Sequence, residues 1–123
     1  MKNDRKPQDS ERIQINPSNQ RIRLIYNDVI IADSKLSLVL SERGYAPVYY
    51  VPQADIEMQY LHPNKHHSHC PYKGEAIYWD IIIDDKSYTN IAWSYPQPLD
   101  NVSDIKDHLA FYCGTNQVKL LTQ

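Results

Sequence analysis

Apolar and polar residues alternate at every second position through most of this chain, a spacing that predicts strands, because successive side chains of an extended backbone leave on opposite faces. Ile22, Leu24 and Tyr26 point one way while Arg21 and Arg23 point the other. Asn27-Asp28 marks a hairpin turn, and 29–33 supplies the return strand. Leu36, Leu38 and Leu40 alternate with Ser37, Val39 and Ser41, and Gly44 separates that strand from 47–51. Over 75–83, Ile77, Trp79, Ile81 and Ile83 share one face of a central strand and Tyr78, Asp80 and Ile82 the other. Asp84-Asp85-Lys86 turns the chain, and 88–95 returns with Ile91, Trp93 and Tyr95 aligned, so large rings pair across a hairpin. Ile13 and Ile15 make a short edge strand stopped at Pro17, and strands at 109–113 and 117–121 follow, joined by Gly114-Thr115-Asn116.

Helical spacing is scarce. Ile56 and Tyr60 fall four apart, with Pro52 to open and Pro63 to close, so 52–61 is the main helix candidate, with a loop over 64–74 behind it. Asp100 or Ser103 caps a single turn over 104–106. The sum is about eight short strands on hairpin-length connections with no βαβ rhythm. That predicts a mainly β fold, a compact antiparallel barrel or sandwich with one or two short helical turns. Residues 1–12 are polar and aperiodic and read as a flexible tail, leaving 13–123 as a single domain.

Composition narrows the function classes. With 123 residues, 41% hydrophobic and 23% charged, the chain builds one core. A formal charge of -2 and a pI near 6.2 supply no basic field, so nucleic acid is not an expected partner. The longest apolar runs, such as Ile81-Ile82-Ile83, are too short to span a bilayer, and the polar start of the sequence sets the expectation of no apolar leader. The expectation is a cytoplasmic protein with no membrane partner, free thiols at Cys70 and Cys113, and a monomeric or homodimeric state set by its edge strands. Ten tyrosines and two tryptophans against one phenylalanine give rings with polar tips, which suit pocket walls as well as core.

The chemistry concentrates at 66–74, where three histidines, Cys70, Pro71, Tyr72, Lys73 and Gly74 occupy one junction. Lys73 is the first catalytic candidate, as a point charge for a carboxylate or phosphate or as a base; the plainer alternative is a surface lysine beside a turn. Cys70 is the second, with His69 or Lys73 lowering its pKa, against a role in packing. His66, His67, His69 and Cys70 match no standard zinc spacing, with His62 and His108 outlying, so no metal site and no cofactor are expected. Tyr50, Tyr78, Trp93 and Tyr95 are the candidate aromatic wall for a planar ring or a cation. At least one of Trp79 and Trp93 is expected in the core, and Tyr78, opposite Trp79, is the better pocket residue. Arg23 either joins Lys73 in a two-point anion clamp or pairs with Asp33 or Asp80.

Several stretches together resemble domain-of-unknown-function family 427, a group also labelled nucleotidyltransferase-9-like. They are Arg21-Ile22-Arg23, Ile31-Ala32-Asp33-Ser34, Val48-Tyr49-Tyr50-Val51-Pro52 with Asp55, and Cys70-Pro71-Tyr72-Lys73-Gly74 with Ala76, Tyr78 and Trp79. Ala92-Trp93-Ser94-Tyr95-Pro96 with Pro98 and Ala110-Phe111-Tyr112 complete them, and Tyr112 joins the ligand-binding candidates from that last stretch. The resemblance implies a fold similar to the β-tent domains, which include zinc-bearing and aromatic-cage modules. It implies no settled reaction. The two Cys-x-x-Cys knuckles of zinc-bearing relatives are absent from this sequence, as is the glycine-rich turn with spaced carboxylates that nucleotide transfer uses. The expected partner is therefore a small polar or anionic molecule, with a peptide or modified side chain, or a nucleotide, as the alternatives.

Overall fold

The computed structural model of the chain describes residues 12–113 and 118–122. Ten strands lie in two antiparallel sheets: β1 (Ile13–Pro17), β2 (Ile22–Tyr26), β3 (Val29–Ser34), β4 (Leu38–Glu42), β5 (Val48–Pro52), β6 (Leu61–Cys70), β7 (Gly74–Ile83), β8 (Lys86–Ser94), β9 (His108–Phe111) and β10 (Val118–Thr122). The larger sheet runs β1-β4-β5-β9-β8-β7-β6 and the smaller β10-β2-β3. Among the described residues the arrangement is sandwich-like and mainly β, with open edges at β1 and β6 in place of a closed barrel.

Local turn chemistry accounts for the hairpins. Asn27 and Asp28 both hold positive φ, 52° and 64°, the left-handed pair that suits a two-residue turn between twisted strands. Asp84, with φ 54°, opens the equally short turn between β7 and β8, where Ile83 faces Lys86. On β2 burial alternates as expected, with Ile22, Leu24 and Tyr26 inside.

Four expectations need correction. The segment 52–61 is not an α-helix: it forms two 3-10 turns, Gln53–Asp55 and Met58–Tyr60, because Ile56 between them is drawn into a bridge with Ala32 of β3 and is buried there. The expected loop at 64–74 is mostly strand β6, whose histidines, lysine and proline belong to a solvated sheet edge rather than a loop. Leu36 precedes its strand and is exposed, while Ser34 and Ser37 are buried in its stead. Finally, β9 and β10 are not a hairpin; β9 sits between β5 and β8 and β10 pairs with β2 in the other sheet. Residues 114–116, expected to join them, lie outside the described residues, as do 1–11 of the expected tail. The second helical turn is present as a 3-10 stretch, Asp100–Ile105, but Leu99 starts it with no side-chain cap.

The two sheets enclose the main core of Ile22, Leu24, Tyr26, Ile31, Val51, Ile81, Ile83, Leu109 and Phe111. A second cluster holds Leu40, Tyr50, Ala76, Tyr95 and Ala110 together with Val102 and Ile105 of the 3-10 stretch. Among the described residues this 3-10 stretch is the helical element that packs into the second cluster. Among the described residues no helix is long and apolar enough to cross a membrane.

Midway along β6, β7 and β8 the register slips, between Pro63 and His67 and between Trp79 and Ile81. A polar knot fills the irregularity. Asn64 donates to Asp80 (2.6 Å) and to the side-chain oxygen of Asn90 (2.7 Å), and its own oxygen accepts from the His66 N–H. Asp80 also accepts from the backbone N–H of Asn90, whose φ is 59°. The slip re-aims the strands, so that Tyr78 and Trp93, paired across β7 and β8, stand on the open side.

Candidate functional site

Period-2 geometry sends Leu40 and Glu42 of β4, Tyr50 of β5, Trp93 of β8 and Tyr78 of β7 to the same open face. Cross-strand pairs fix their order: Leu40 opposite Val48, Leu38 opposite Tyr50, and Trp93 between Tyr78 and Ala110. Together with the turn after β6 they line a cavity of about 420 Å³. Of the sequence candidates, Lys73, Cys70, Tyr50, Tyr78, Trp93, Tyr95 and Tyr112 all border it. Arg23 does not. It lies on the small sheet, opposite Asp33 in register, with its Nε 3.6 Å from that carboxylate, which Arg21 grips at 2.7 Å. Arg23 and Lys73 are thus not brought together on this cavity.

The turn is held by backbone as well as by its side chains. Lys73 N–H donates to the Cys70 carbonyl at 3.2 Å, and the Lys73 carbonyl accepts from Leu99 N–H at 3.0 Å. Gly74 takes φ 119°, and a Cβ there would stand 3.2 Å from the Gln97 carbonyl oxygen. Both facts favour glycine: the backbone angle strains any L side chain, and a Cβ would press tightly on the 97–99 segment, which would have to give by a few tenths of an ångström.

Lys73 Nζ reaches Glu42 Oε1 at 2.7 Å, and the two side chains are 11% and 12% exposed. The ammonium also stands 6.0 Å from the Tyr95 ring centroid, within cation-π range. Lys73 is therefore a paired cation in a sheltered place, not a free one. His69 is bonded to Glu75, and both side chains are well exposed. The two groups expected to activate Cys70 are each engaged with a carboxylate.

The aromatic wall is itself hydrogen-bonded. Trp93 Nε1 donates to the Tyr50 hydroxyl at 3.3 Å, and the Trp93 and Tyr112 rings meet at 4.6 Å between centroids. Tyr78 shares a 2.9 Å hydrogen bond with Ser68 and packs 4.5 Å from the His66 ring. Burial pushes the Tyr50 phenol up to about 12, against a smaller opposing pull from the Trp93 hydrogen bond. Burial likewise raises Tyr95, reinforced by Tyr50, and raises Tyr112, reinforced by Tyr78. These hydroxyls stay neutral across the physiological range and offer directional donors and acceptors between apolar rings. Trp79, by contrast, packs on the main core and donates to Ser94 at 3.0 Å.

A match to a family model covers residues 14–122, nearly the whole chain, under the description of a domain of unknown function, DUF427. The chain belongs to that family. A comparison with curated proteins returns no match. Family membership places the whole cavity of this DUF427 domain, apart from Arg12, inside the matched span. It attaches no reaction to it.

Among the cavity residues that sequence reasoning did not single out as candidates are Glu42, Arg12, Tyr45 and Tyr72. Arg12, one residue before β1, lays its guanidinium 4.0 Å above the Tyr72 ring. A signal existed for Glu42. It continues the inward-facing series of Leu38 and Leu40, an unusual place for a carboxylate unless a cation meets it. Asp84 and Asp85, the adjacent carboxylates, form the turn between β7 and β8, apart from the residues that line the cavity. Among the described residues no cluster of three or more His, Cys, Asp or Glu is arranged to hold a metal ion.

Proposed function

We propose that this domain binds a small molecule with a planar apolar body and polar substituents, as a binding protein or a small enzyme. The convergence of Tyr50, Tyr78, Trp93, Tyr95 and Tyr112 with the Lys73–Glu42 pair around one cavity of about 420 Å³ supports this most directly. Pockets of this size and lining, apolar walls with a few fixed polar groups, suit small organic ligands. The rings supply stacking area at low entropic cost, and the neutral phenols and the ion pair supply orientation. If the site is catalytic, Lys73 and Cys70 are the reactive side chains that border the cavity.

An aromatic cage for a cationic side chain is the second reading, favoured by the Glu42 carboxylate among rings. That carboxylate is already matched by Lys73, which leaves it less charge to offer a guest. Nucleotide transfer rests on the family label alone. Two free cysteines favour a reducing, cytoplasmic setting, and the open edges β1 and β6 allow a monomer or a dimer.

The test is native mass spectrometry of the freshly purified protein, followed by a thermal-shift screen of small aromatic acids, alcohols and amides. A retained or stabilising molecule should lose its effect in Trp93→Ala and keep it in Lys65→Ala, an exposed change on β6. Equal stabilisation of both variants would place binding elsewhere and defeat the proposal.

A further inference from the structure

Charge on the cavity wall is not where the sequence suggests. Its described charged groups, beyond the His69 bonded to Glu75, are Arg12, Lys73 and Glu42. Lys73 and Glu42 cancel at 2.7 Å. The remaining positive charge belongs to Arg12. Its backbone is fixed, since the Arg12 carbonyl accepts from Arg43 N–H at 2.8 Å and the next residue, Ile13, is in register with Glu42. Its guanidinium carbon stands 4.0 Å over the centre of the Tyr72 ring. Its Nε is buried and has no hydrogen-bond partner.

These three facts belong together. A guanidinium carries its N–H groups in a planar fork that grips a carboxylate or phosphate with two parallel bonds, and contact with a ring limits the orientations that fork takes. A buried N–H without a partner is costly, and native proteins rarely leave one unless something else supplies the acceptor. The ring presets the orientation, so little freedom is lost when an anion arrives.

We infer that Arg12 is the anion-recognition residue of the cavity and that the ligand is an aromatic or similarly planar molecule bearing one oxyanion, a carboxylate or a phosphate. The planar body lies against Trp93 and Tyr112, and the oxyanion meets the Arg12 edge beside Tyr72. Lys73 and Glu42 position the turn and contribute hydrogen bonds, without net attraction for charge. This rests on the cavity being a ligand site and goes further by naming the ligand class and the residue that selects it.

The test is calorimetric titration with phenyl phosphate, benzoate and the neutral benzyl alcohol, on wild type, Arg12→Gln, Arg12→Lys and the paired Glu42→Met/Lys73→Met. Wild type should prefer an anion over benzyl alcohol by tenfold or more, with phenyl phosphate against benzoate telling which oxyanion fits. Arg12→Gln should weaken that anion about tenfold to hundredfold, as expected for charge-assisted hydrogen bonds, and leave benzyl alcohol unchanged. Arg12→Lys should recover only part, because a point charge does not reproduce the fork. Unaltered anion binding in Arg12→Gln, or its loss in Glu42→Met/Lys73→Met instead, overturns the inference while the cavity remains a ligand site. Binding of benzyl alcohol as tight as that of both anions does the same. Absence of binding by all three probes overturns the inference and the ligand-site reading together. Melting curves of each variant confirm that the comparison is made on folded protein.

Discussion

Lys73 of the turn after β6 and Glu42 at the end of β4 meet at 2.7 Å with about a tenth of each side chain exposed, tying together two segments 31 residues apart. Removing one partner strands the other. Lys73→Met should destabilise the fold by about 3 kcal/mol, because a sheltered carboxylate is left without its cation. Glu42→Met in the same chain should restore most of that loss, since an apolar pair of similar volume needs no compensation. Urea unfolding of the two single variants and the double variant closes the cycle, and additive losses would show that the pair is not coupled.

Tyr50 makes stability fall at high pH. Its folded pKa, about 12, lies above the ordinary value of 10, so the protonated phenol is the form that folding favours. The corresponding stabilisation is complete below pH 10 and is lost as pH climbs from there toward 12. Tyr95 shifts in the same direction through burial. Tyr50→Phe should therefore flatten part of the alkaline decline and leave the remainder. Chemical denaturation through that range checks it, and an unchanged slope would contradict it.

Gly74→Ala places a methyl group 3.2 Å from the Gln97 carbonyl and forces a positive φ on alanine. A cost of about 1–3 kcal/mol is expected from the backbone alone. The displaced 97–99 segment should also release the Leu99 to Lys73 hydrogen bond and perturb the cavity wall. A melting temperature equal to that of wild type would mean that the turn relaxes without strain.

The knot at the middle of β6, β7 and β8 gives a fourth expectation. Asn64→Leu removes both donors that reach Asp80 and Asn90 and leaves those oxygens partly buried. The loss should be about 1–3 kcal/mol, concentrated at the register slip. Amide exchange should accelerate around Asp80 and Asn90 before it does in β2 and β3. Uniform acceleration across both sheets would argue for a general loss of packing instead.

Much of the fold was legible wherever its cause is local. The Asn27-Asp28 and Asp84-Asp85 turns announce themselves because those residues tolerate left-handed backbone, and the alternation on β2 reports a sheet with one buried face. β6 was hidden because an edge strand dominated by His, Lys, Asn and Pro carries no apolar alternation. Ile56 and Tyr60 mimic helical spacing, yet Ile56 is placed by its bridge to Ala32, a partner far along the chain. The gathering of Cys70, Lys73, Tyr78 and Trp93 followed from two successive hairpins, β6-β7 with its turn and β7-β8. The partner of Lys73 and the place of Arg12 did not, because each depends on β4 and β1 arriving at the sheet beside β5.

The pairing of β10 with β2 has a consequence for how the chain is made. The β2-β3 hairpin is synthesised well before the strand that flanks β2, the last of the described elements. Throughout elongation that hairpin presents an unsatisfied row of amides and carbonyls beside Ile22 and Leu24. A nascent chain in this condition is open to capture by a holdase or by the same strand of a neighbouring molecule, so slow translation and crowded polysomes should favour strand-exchanged dimers.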